Sequence, residues 1–462
     1  MLRIDRWRRV WTVQEYVVSS SIMFRCGDKA LAGQTFNKAL SAVWACHRAT
    51  GTFRYDAQWN RNRILEFHNL YFPPSLTALL AYLGDHFSTD PRDRLYSLSG
   101  IAHDPDILGN LKYDNTVQEV YIALVKNFIK KYKSLDIICF ATNFASSNGS
   151  GLKDGTPSWV PDWSVPVTPL VVPLMVSQGG REHIGNLRPH WAQKHSAEYT
   201  ASLDRTPEVL FSENINELRC KGILIGVLDG MTRVSGRETP RTMEQSENDA
   251  LVQPKSSQYT SYRYSEGSCA EKASGILQSL MRCLVLNRKD HYMNHAAPEI
   301  RFTNELRALV DAATSRSVQP YAHFTAWYHA NKSFRINGIE LAALFKQNFT
   351  TRILSAHELP EPSYRVDISE RQLFASRFHD TTVKMARRFV VTENGLLAMA
   401  PRRSKKGDVI CILYGCSVPV VLRKRPESGH YRFIGECYVD GFMNGEALTS
   451  HEKFEERMFT LL

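Results

Sequence analysis

The spacing of hydrophobic positions changes several times along this chain, and each change marks an element. Between residues 5 and 20, Trp7, Val10, Trp11, Val13, Gln14 and Val17 recur at steps of three and four, which predicts a helix. IMFRC (22–26) reads as a strand closed by Gly27. Leu31, Phe36, Leu40, Val43 and Trp44 then predict a second helix over 33–48. Residues 51–74 show no clear period and end at Pro73-Pro74. SLTALLAYLGDHF (75–87) predicts a helix capped by Ser75. In TDPRDRLYSLSGIA, Asp90 is the expected N-cap and Pro91 the first helical residue, where a missing N–H costs nothing. Thr116 and Glu119 have capping-box spacing ahead of VYIALVKNFIKKY, whose lysines fall in the last turn. LDIICFA (135–141) is expected to be buried. SWVPDWSVP (158–166) reads as an extended segment fixed by proline, with Trp159 and Trp163 covering a core edge.

From 197 the pattern shortens to strand-like runs: EYTASL, EVLF and ELRCKGILIGVLD. Residues 233–270 are polar and poor in branched apolar residues, as in a linker or surface insertion. Helical periods return at 271–287, 300–313, 320–330, 338–348 and 369–387. The C-terminus is β again, with turn signals at Glu393-Asn394-Gly395, Gly415, Asp440-Gly441 and Asn444-Gly445. The expected class is α+β: a helical N-terminal half, then helices with a small antiparallel sheet or barrel of four or five strands. The expected segments are 1–50, a mixed middle region over 51–232, the linker 233–270, and 271–462.

Composition narrows the picture. A chain of 462 residues suggests two or three folded units. A net charge of +10 is thin over that length, and no Arg/Lys block of the nucleic-acid-binding kind occurs. Nine cysteines, odd in number and never spaced C-x-x-C, favour free thiols in a reducing compartment. No run of 18 apolar residues predicts a membrane span. Arg3, Arg6, Arg8 and Arg9 lead into no apolar h-region, and Asp5 and Glu15 interrupt a transit-peptide composition. A cytoplasmic location is expected.

Candidate chemistry is sparse. His291 and His295 in HYMNH would share a helix face, but Tyr292 stands where a zinc protease needs its glutamate. Cys269 and Cys283 are not at zinc-finger spacing, so no metal site is expected. Ser417 in GCSVP follows a glycine by two residues, yet Pro419 replaces the closing glycine of a nucleophile elbow, and the flanks read strand–turn–strand. The glycines of KGILIGVLDG recur at four-residue steps inside a strand, which points to close packing and not to phosphate binding. Arg387-Arg388, Arg402-Arg403, Lys405-Lys406 and Arg423-Lys424-Arg425 border the C-terminal strands. They read as solvated turns and sheet edges, or as a patch for an acidic partner. In DPRDRLY the charges of Arg92, Asp93 and Arg94 are close enough to pair across the first turn and with neighbours. Flanking arginines hold a carboxylate ionised, so this is a structural arrangement and no acid–base pair. No catalytic residue and no cofactor emerge.

Several of these segments together resemble one family. RVWTVQEYVVSSSIMFRCG is similar to the last block of the fungal heterokaryon incompatibility (HET) domain, with R-x-W-x-x-Q-E at Arg9, Trp11, Gln14 and Glu15. TDPRDRLYSLSGIA, with Asp90, Pro91, Arg92, Asp93 and Arg94, resembles the segment that follows that domain. SWVPDWS, with Trp159, Pro161 and Trp163, KGILIGVLD and the strands from residue 387 onward resemble the downstream half of such proteins. The resemblance implies a TIR-like α/β fold for the HET domain, of which this sequence carries only the closing helix and strand (1–50). It also implies a part in fungal non-self recognition and programmed cell death.

Three readings follow. The leading one is a binding or regulatory module that recognises another protein, an incompatibility partner or HET-domain protein, with no nucleic acid and no chemistry of its own. The second is a TIR-like NAD or nucleotide hydrolase completed by upstream sequence or a partner. The third is a truncated gene product without function. The resemblance further predicts that the first helix turns Trp7 or Trp11 toward a sheet absent from the sequence, leaving an apolar patch.

Overall fold

The computed structural model describes residues 8–50, 74–110, 112–142, 156–167, 184, 199–212, 214–234, 249–255, 269–289, 293, 296–314, 322–349, 373–450 and 454–462. The α+β class is as expected. The first helix, α1 (Val10–Val18), buries Val10, Thr12, Val13 and Tyr16. Beyond it β1 (Met23–Cys26) pairs antiparallel with β2 (Lys29–Ala32), a strand that no periodicity marked, through a turn in which Gly27 takes φ +58°. Helix α2 (Gly33–Thr50) follows. The unpatterned stretch 51–73 lies outside the described residues.

Helix α3 (Leu76–Tyr82) is capped as expected: the Ser75 hydroxyl accepts from the Ala78 amide at 3.2 Å. It stops at Tyr82, short of the expected end. Helix α4 (Asp93–Ser99) begins three residues after Asp90, with Arg92 at the N-cap position, so Asp90 is not its cap. A 3-10 turn (Pro105–Leu108) leads on to α5 (Val117–Tyr132), where the capping box forms in full. Thr116 accepts from the Glu119 amide, and Glu119 Oε2 accepts from the Thr116 amide at 2.7 Å. LDIICFA forms a buried 3-10 helix (Asp136–Thr142). SWVPDWSVP is not extended. It folds into two tight turns, with the Val160 amide donating to Pro157 O and the Val165 amide to Asp162 O. Trp159 and Trp163 are fully buried instead of lying at an edge.

EYTASL is also a turn, not a strand, over its described residues. The β3 strand (Val209–Phe211) and the long β4 strand (Leu218–Met231) match EVLF and ELRCKGILIGVLD. Within 233–270, residues 249–255 pack on the fold, and Val252 bridges Met231. Helices α6 (Cys269–Leu284), α7 (Glu299–Thr314) and α8 (Ala322–Asn331) come next, then a small hairpin of β5 (Arg335–Ile336) and β6 (Ile339–Glu340). Helix α9 (Leu341–Phe349) follows the hairpin, and α10 (Leu373–His379) passes into a π turn, Asp380–Lys384.

The C-terminal strands are β7 (Arg387–Thr392), β8 (Leu397–Pro401), β9 (Val409–Leu413), β10 (Val420–Lys424), β11 (Tyr431–Glu436), β12 (Tyr438–Val439) and β13 (Glu456–Leu461), with a short helix α11 (Glu446–Thr449) before the last. They form a sheet larger than expected, because β3 and β4 join these seven to make nine strands. β4 pairs with β13 and β7 along one edge and with β9 along the other, while β13 meets β11 through one parallel pairing, Tyr431 with Leu461. The path is therefore ring-like: β4, β9, β10, β11, β13 and back to β4.

Side chains alternate about this ring. Along β9, Val409, Cys411 and Leu413 join a large core shared with the helices, while Ile410 and Ile412 join a second cluster built from strand and loop residues. β7 and β8 divide in the same way, Phe389 and Met399 to the helices and Val390, Ala398 and Ala400 to the enclosed side. Burial on both faces explains why VICIL and LAMA read as unbroken apolar runs. The glycines of β4 lie where backbones and loops press closest. A Cβ at Gly222 would collide with the Ile412 carbonyl, one at Gly226 would lie 2.9 Å from Thr392 Cγ2, and one at Gly230 would lie 2.7 Å from Pro254 Cγ.

Candidate functional site

The family-motif residues come from three separate stretches, and the structure brings them to one joint around α4. Two short backbone bonds place α1 there: the Val10 amide donates to Phe87 O at 3.1 Å, and the Phe87 amide to Arg8 O at 2.7 Å. Arg9, exposed itself, forms the parallel bridge to Phe87. Gln14 lies so close to Gly100 at the end of α4 that any Cβ there would strike its amide nitrogen. Trp11 is half-buried against the shared core, while Glu15 is exposed. The described part of α1 thus packs on α4. Trp7 lies outside the described residues. Val18 and Met23, just beyond, are exposed apolar side chains.

Among the charges of DPRDR, Asp90 pairs with Arg92, while Asp93 and Arg94 find partners outside the motif. Asp90 and Arg92 form a two-pronged ion pair, 2.6 Å at the shortest, and the Arg92 amide also donates to Asp90 at 2.9 Å. The guanidinium then donates to the Tyr113 and Asn115 carbonyls at 2.6 and 2.8 Å and lies over the Tyr113 ring. This hydrogen-bonded partner holds the Asp90 carboxyl below the usual carboxylate range. Asp93 accepts from the Tyr113 hydroxyl at 2.6 Å, which pushes that phenol up to about 12. Pro91 offers its carbonyl to the Tyr121 hydroxyl at 2.9 Å.

Arg94 points the other way, into the core. It is 3% exposed, and its Nε donates to Trp163 O at 3.0 Å and its Nη2 to Gly84 O at 3.1 Å. Burial lowers its pKa to about 10, which still leaves it charged at neutral pH. The inward turn of Arg94 has a physical reason. Two fixed backbone carbonyls suit the planar guanidinium fork, and the helix carries Arg94 away from Asp90. The second half of the joint is SWVPDWS. Trp159 Nε1 donates to Asn216 O at 3.1 Å, Trp163 packs on Phe140 with ring centroids 5.6 Å apart, and Pro161 is buried between them in sequence. Burial raises the Asp162 carboxyl, against the lowering effect of bonds from Ser164.

Sequence reasoning missed the buried acids that tie distant segments together. Asp104 accepts from the Leu76 amide at 2.7 Å and the Tyr132 hydroxyl at 2.6 Å. Asp136 accepts from both the amide and the hydroxyl of Ser417. Glu436, wholly buried, pairs with Arg387, and Asp440 accepts two bonds from Arg282, 2.8 and 2.7 Å. A usable signal existed for Asp136 in LDIICFA and Glu436 in FIGECYV. Each is a carboxylate inside an apolar run, which must be partnered if buried.

Ser417 sits in a strand–turn–strand setting, as expected, and both its polar groups are taken up by Asp136. Arg387 and Arg388 correct the solvated-edge reading: both are buried, Arg388 donating to the Thr232 and Ala250 carbonyls. His291 and His295 lie outside the described residues, as does the side chain of Cys269. Among the described residues, no group of three metal-ligating side chains occurs, and no helix is long and apolar enough to cross a membrane. What the arrangement does chemically is hold charged and aromatic groups as ties between segments.

The Het-6 beta-barrel domain family matches residues 362–461, which hold β7 to β13 and leave out the β4 strand that completes the ring. The chain is also similar to Heterokaryon incompatibility protein 6, OR allele, of Neurospora crassa, with 21% identity across 97% of this chain. It spans 65% of that relative's length. No solved structure matches it. The chain is thus similar to a heterokaryon incompatibility protein along most of its length and matches the Het-6 beta-barrel domain at its C-terminal end.

Proposed function

We propose that the chain acts in heterokaryon incompatibility as a binding and regulatory module, recognising another protein in fungal non-self recognition that leads to cell death. The observation that carries this reading is the similarity to the Neurospora crassa incompatibility protein along almost the whole chain. The use of the motif residues supports it. Arg92, Arg94 and Trp159 bind backbone carbonyls and Trp163 fills the core, so these residues hold segments together. Buried free thiols such as Cys139 and Cys411 support a cytosolic location.

The test is inducible expression of the chain in a filamentous fungus, alone and beside a full-length relative, with cell death scored. Death, or a change in the death caused by the relative, is expected; no effect in either setting overturns the reading. The enzyme alternative keeps one foothold, the exposed Glu15 of the R-x-W-x-x-Q-E segment. An NAD-consumption assay on the purified chain and on Glu15→Ala decides it: turnover lost in the variant would establish hydrolysis.

A further inference from the structure

A seam of buried polar atoms runs between α3 and α4. The two helices lie antiparallel and are tied at both ends. At one end Arg94 Nη2 donates to Gly84 O at 3.1 Å, two residues past the end of α3. At the other the His103 amide donates to Pro74 O at 3.1 Å, and the Leu76 amide donates to Asp104 Oδ1 at 2.7 Å. Thr77, Ala81 and Gly84 recur at helical steps of four and three, and Arg94 and Ser97 at a step of three. The contact of Arg94 with Gly84 therefore sets these two stripes against each other. Thr77 and Ser97 are wholly buried, and Arg94 nearly so. Three of their polar atoms, Thr77 Oγ1, Ser97 Oγ and Arg94 Nη1, are shut off from solvent and meet no hydrogen-bond partner among the described residues. A folded core seldom leaves even one such atom unbonded, because each costs the full loss of its hydration.

Charge is the second observation. Arg94 carries its guanidinium into the core with two neutral carbonyls as partners, and among the described residues no carboxylate forms an ion pair with it. Asp85 reaches it only through space. The neighbouring acids hold other groups: Asp85 meets His86 Nδ1 at 3.2 Å, and Asp162 accepts from the Ser164 amide at 3.1 Å.

We propose that the seam binds one small inorganic anion, a chloride ion, between Arg94 Nη1 and the hydroxyls of Thr77 and Ser97. A guanidinium N–H and two O–H groups are three donors, a set that suits an anion and repels a cation. A tetrahedral oxyanion brings four acceptor oxygens, more than three donors in a helix–helix seam can serve. Water would satisfy the hydroxyls as well, but it would leave the buried guanidinium charge unbalanced. Because Gln14 of α1 packs on Gly100 at the end of α4, the anion would also brace the joint that gathers the motif residues.

Thermal melting of the full chain in sodium chloride, sodium bromide and sodium gluconate at one ionic strength reads the site. The parent should melt a few degrees higher in either halide than in gluconate, since a ligand that binds only the folded chain raises its midpoint. Thr77→Val/Ser97→Ala removes two donors with little change in packing volume, and its midpoint should be the same in all three salts. General salt effects act on parent and variant alike, so the difference between them isolates the site. Crystals of the parent grown in bromide give a reading that needs no variant: an anomalous peak is expected beside Arg94 Nη1. Equal parent midpoints in the three salts, an undiminished halide dependence in the variant, or a water in place of bromide at Arg94 would each overturn the proposal.

Discussion

Asp136 and Ser417 lie 281 residues apart in the chain, and both polar groups of the serine are bound by the one carboxylate. The Ser417 amide donates to Oδ1 at 2.7 Å and its hydroxyl donates to Oδ2. Beside them the Leu135 amide donates to Gly415 O at 2.9 Å, so the buried 3-10 helix is fastened to the β9–β10 turn. Replacing Asp136 by Ala leaves a buried amide without its acceptor, and stability should fall by about 3 kcal/mol. Asp136→Asn keeps one acceptor oxygen and should lose less, as should Ser417→Ala. Urea unfolding of the three variants measures this; an Asp136→Ala chain as stable as the parent removes the tie from the account.

Arg94 gives a second prediction. Its guanidinium spans Gly84 and Trp163 from inside the core, and a lysine at the same place reaches only one of those carbonyls. Arg94→Lys should therefore recover little of the roughly 3 kcal/mol that Arg94→Ala costs through lost charged hydrogen bonds and packing. Denaturant midpoints of both variants, read by tryptophan fluorescence, give the comparison. Equal stability of the Arg94→Lys variant and the parent would show that charge alone suffices.

The thiols should report the fold directly. Cys26 is exposed, whereas Cys139, Cys220, Cys283, Cys411, Cys416 and Cys437 are buried. Burial pushes the Cys437 thiol up to about 12 and lifts those of Cys220, Cys283 and Cys411 as well. For Cys139 the hydrogen bond with Cys416 raises the thiol most, and burial adds to it. Iodoacetamide at neutral pH, read at these seven sites by mass spectrometry, should label Cys26 in the native chain and the other six only after unfolding. Early labelling of Cys411 would contradict a strand buried on both faces.

The Asp90–Arg92 pair sets an acid dependence. The folded carboxyl titrates below its unfolded value, so the pair contributes stability that is present above about pH 3.9 and lost as pH falls through the lowered folded value. The parent should melt above Asp90→Asn near neutral pH, and the gap should close on acidification below that unfolded value. The gap itself should be small, since both side chains are partly exposed to screening. A gap that stays constant down to strongly acidic pH would assign the effect to packing.

What was readable in the sequence was local. Ser75 and the Thr116/Glu119 box cap their helices, and Asn394-Gly395 turns its hairpin, because each device is closed within a few residues. The β4 glycines mark close approach because a missing Cβ leaves its own record at that position. The errors lie where a neighbour from elsewhere settled the outcome. Asp90 reads as a cap until Arg92 claims it, and SWVPDWSVP reads as extended until its tryptophans must be enclosed.

The chain by itself determined the α+β class, most of the helices and hairpins, and a resemblance to heterokaryon incompatibility proteins that the comparisons support. Tertiary structure alone decided that β4 and β13 complete the strand ring, that Arg94 and Arg387 turn inward while Arg403 and Arg425 stay outside, and that Asp136 meets Ser417. The reason is distance along the chain. Periodicity and capping act over one or two turns, whereas a buried charge takes whichever distant acceptor or donor the packed core brings to it.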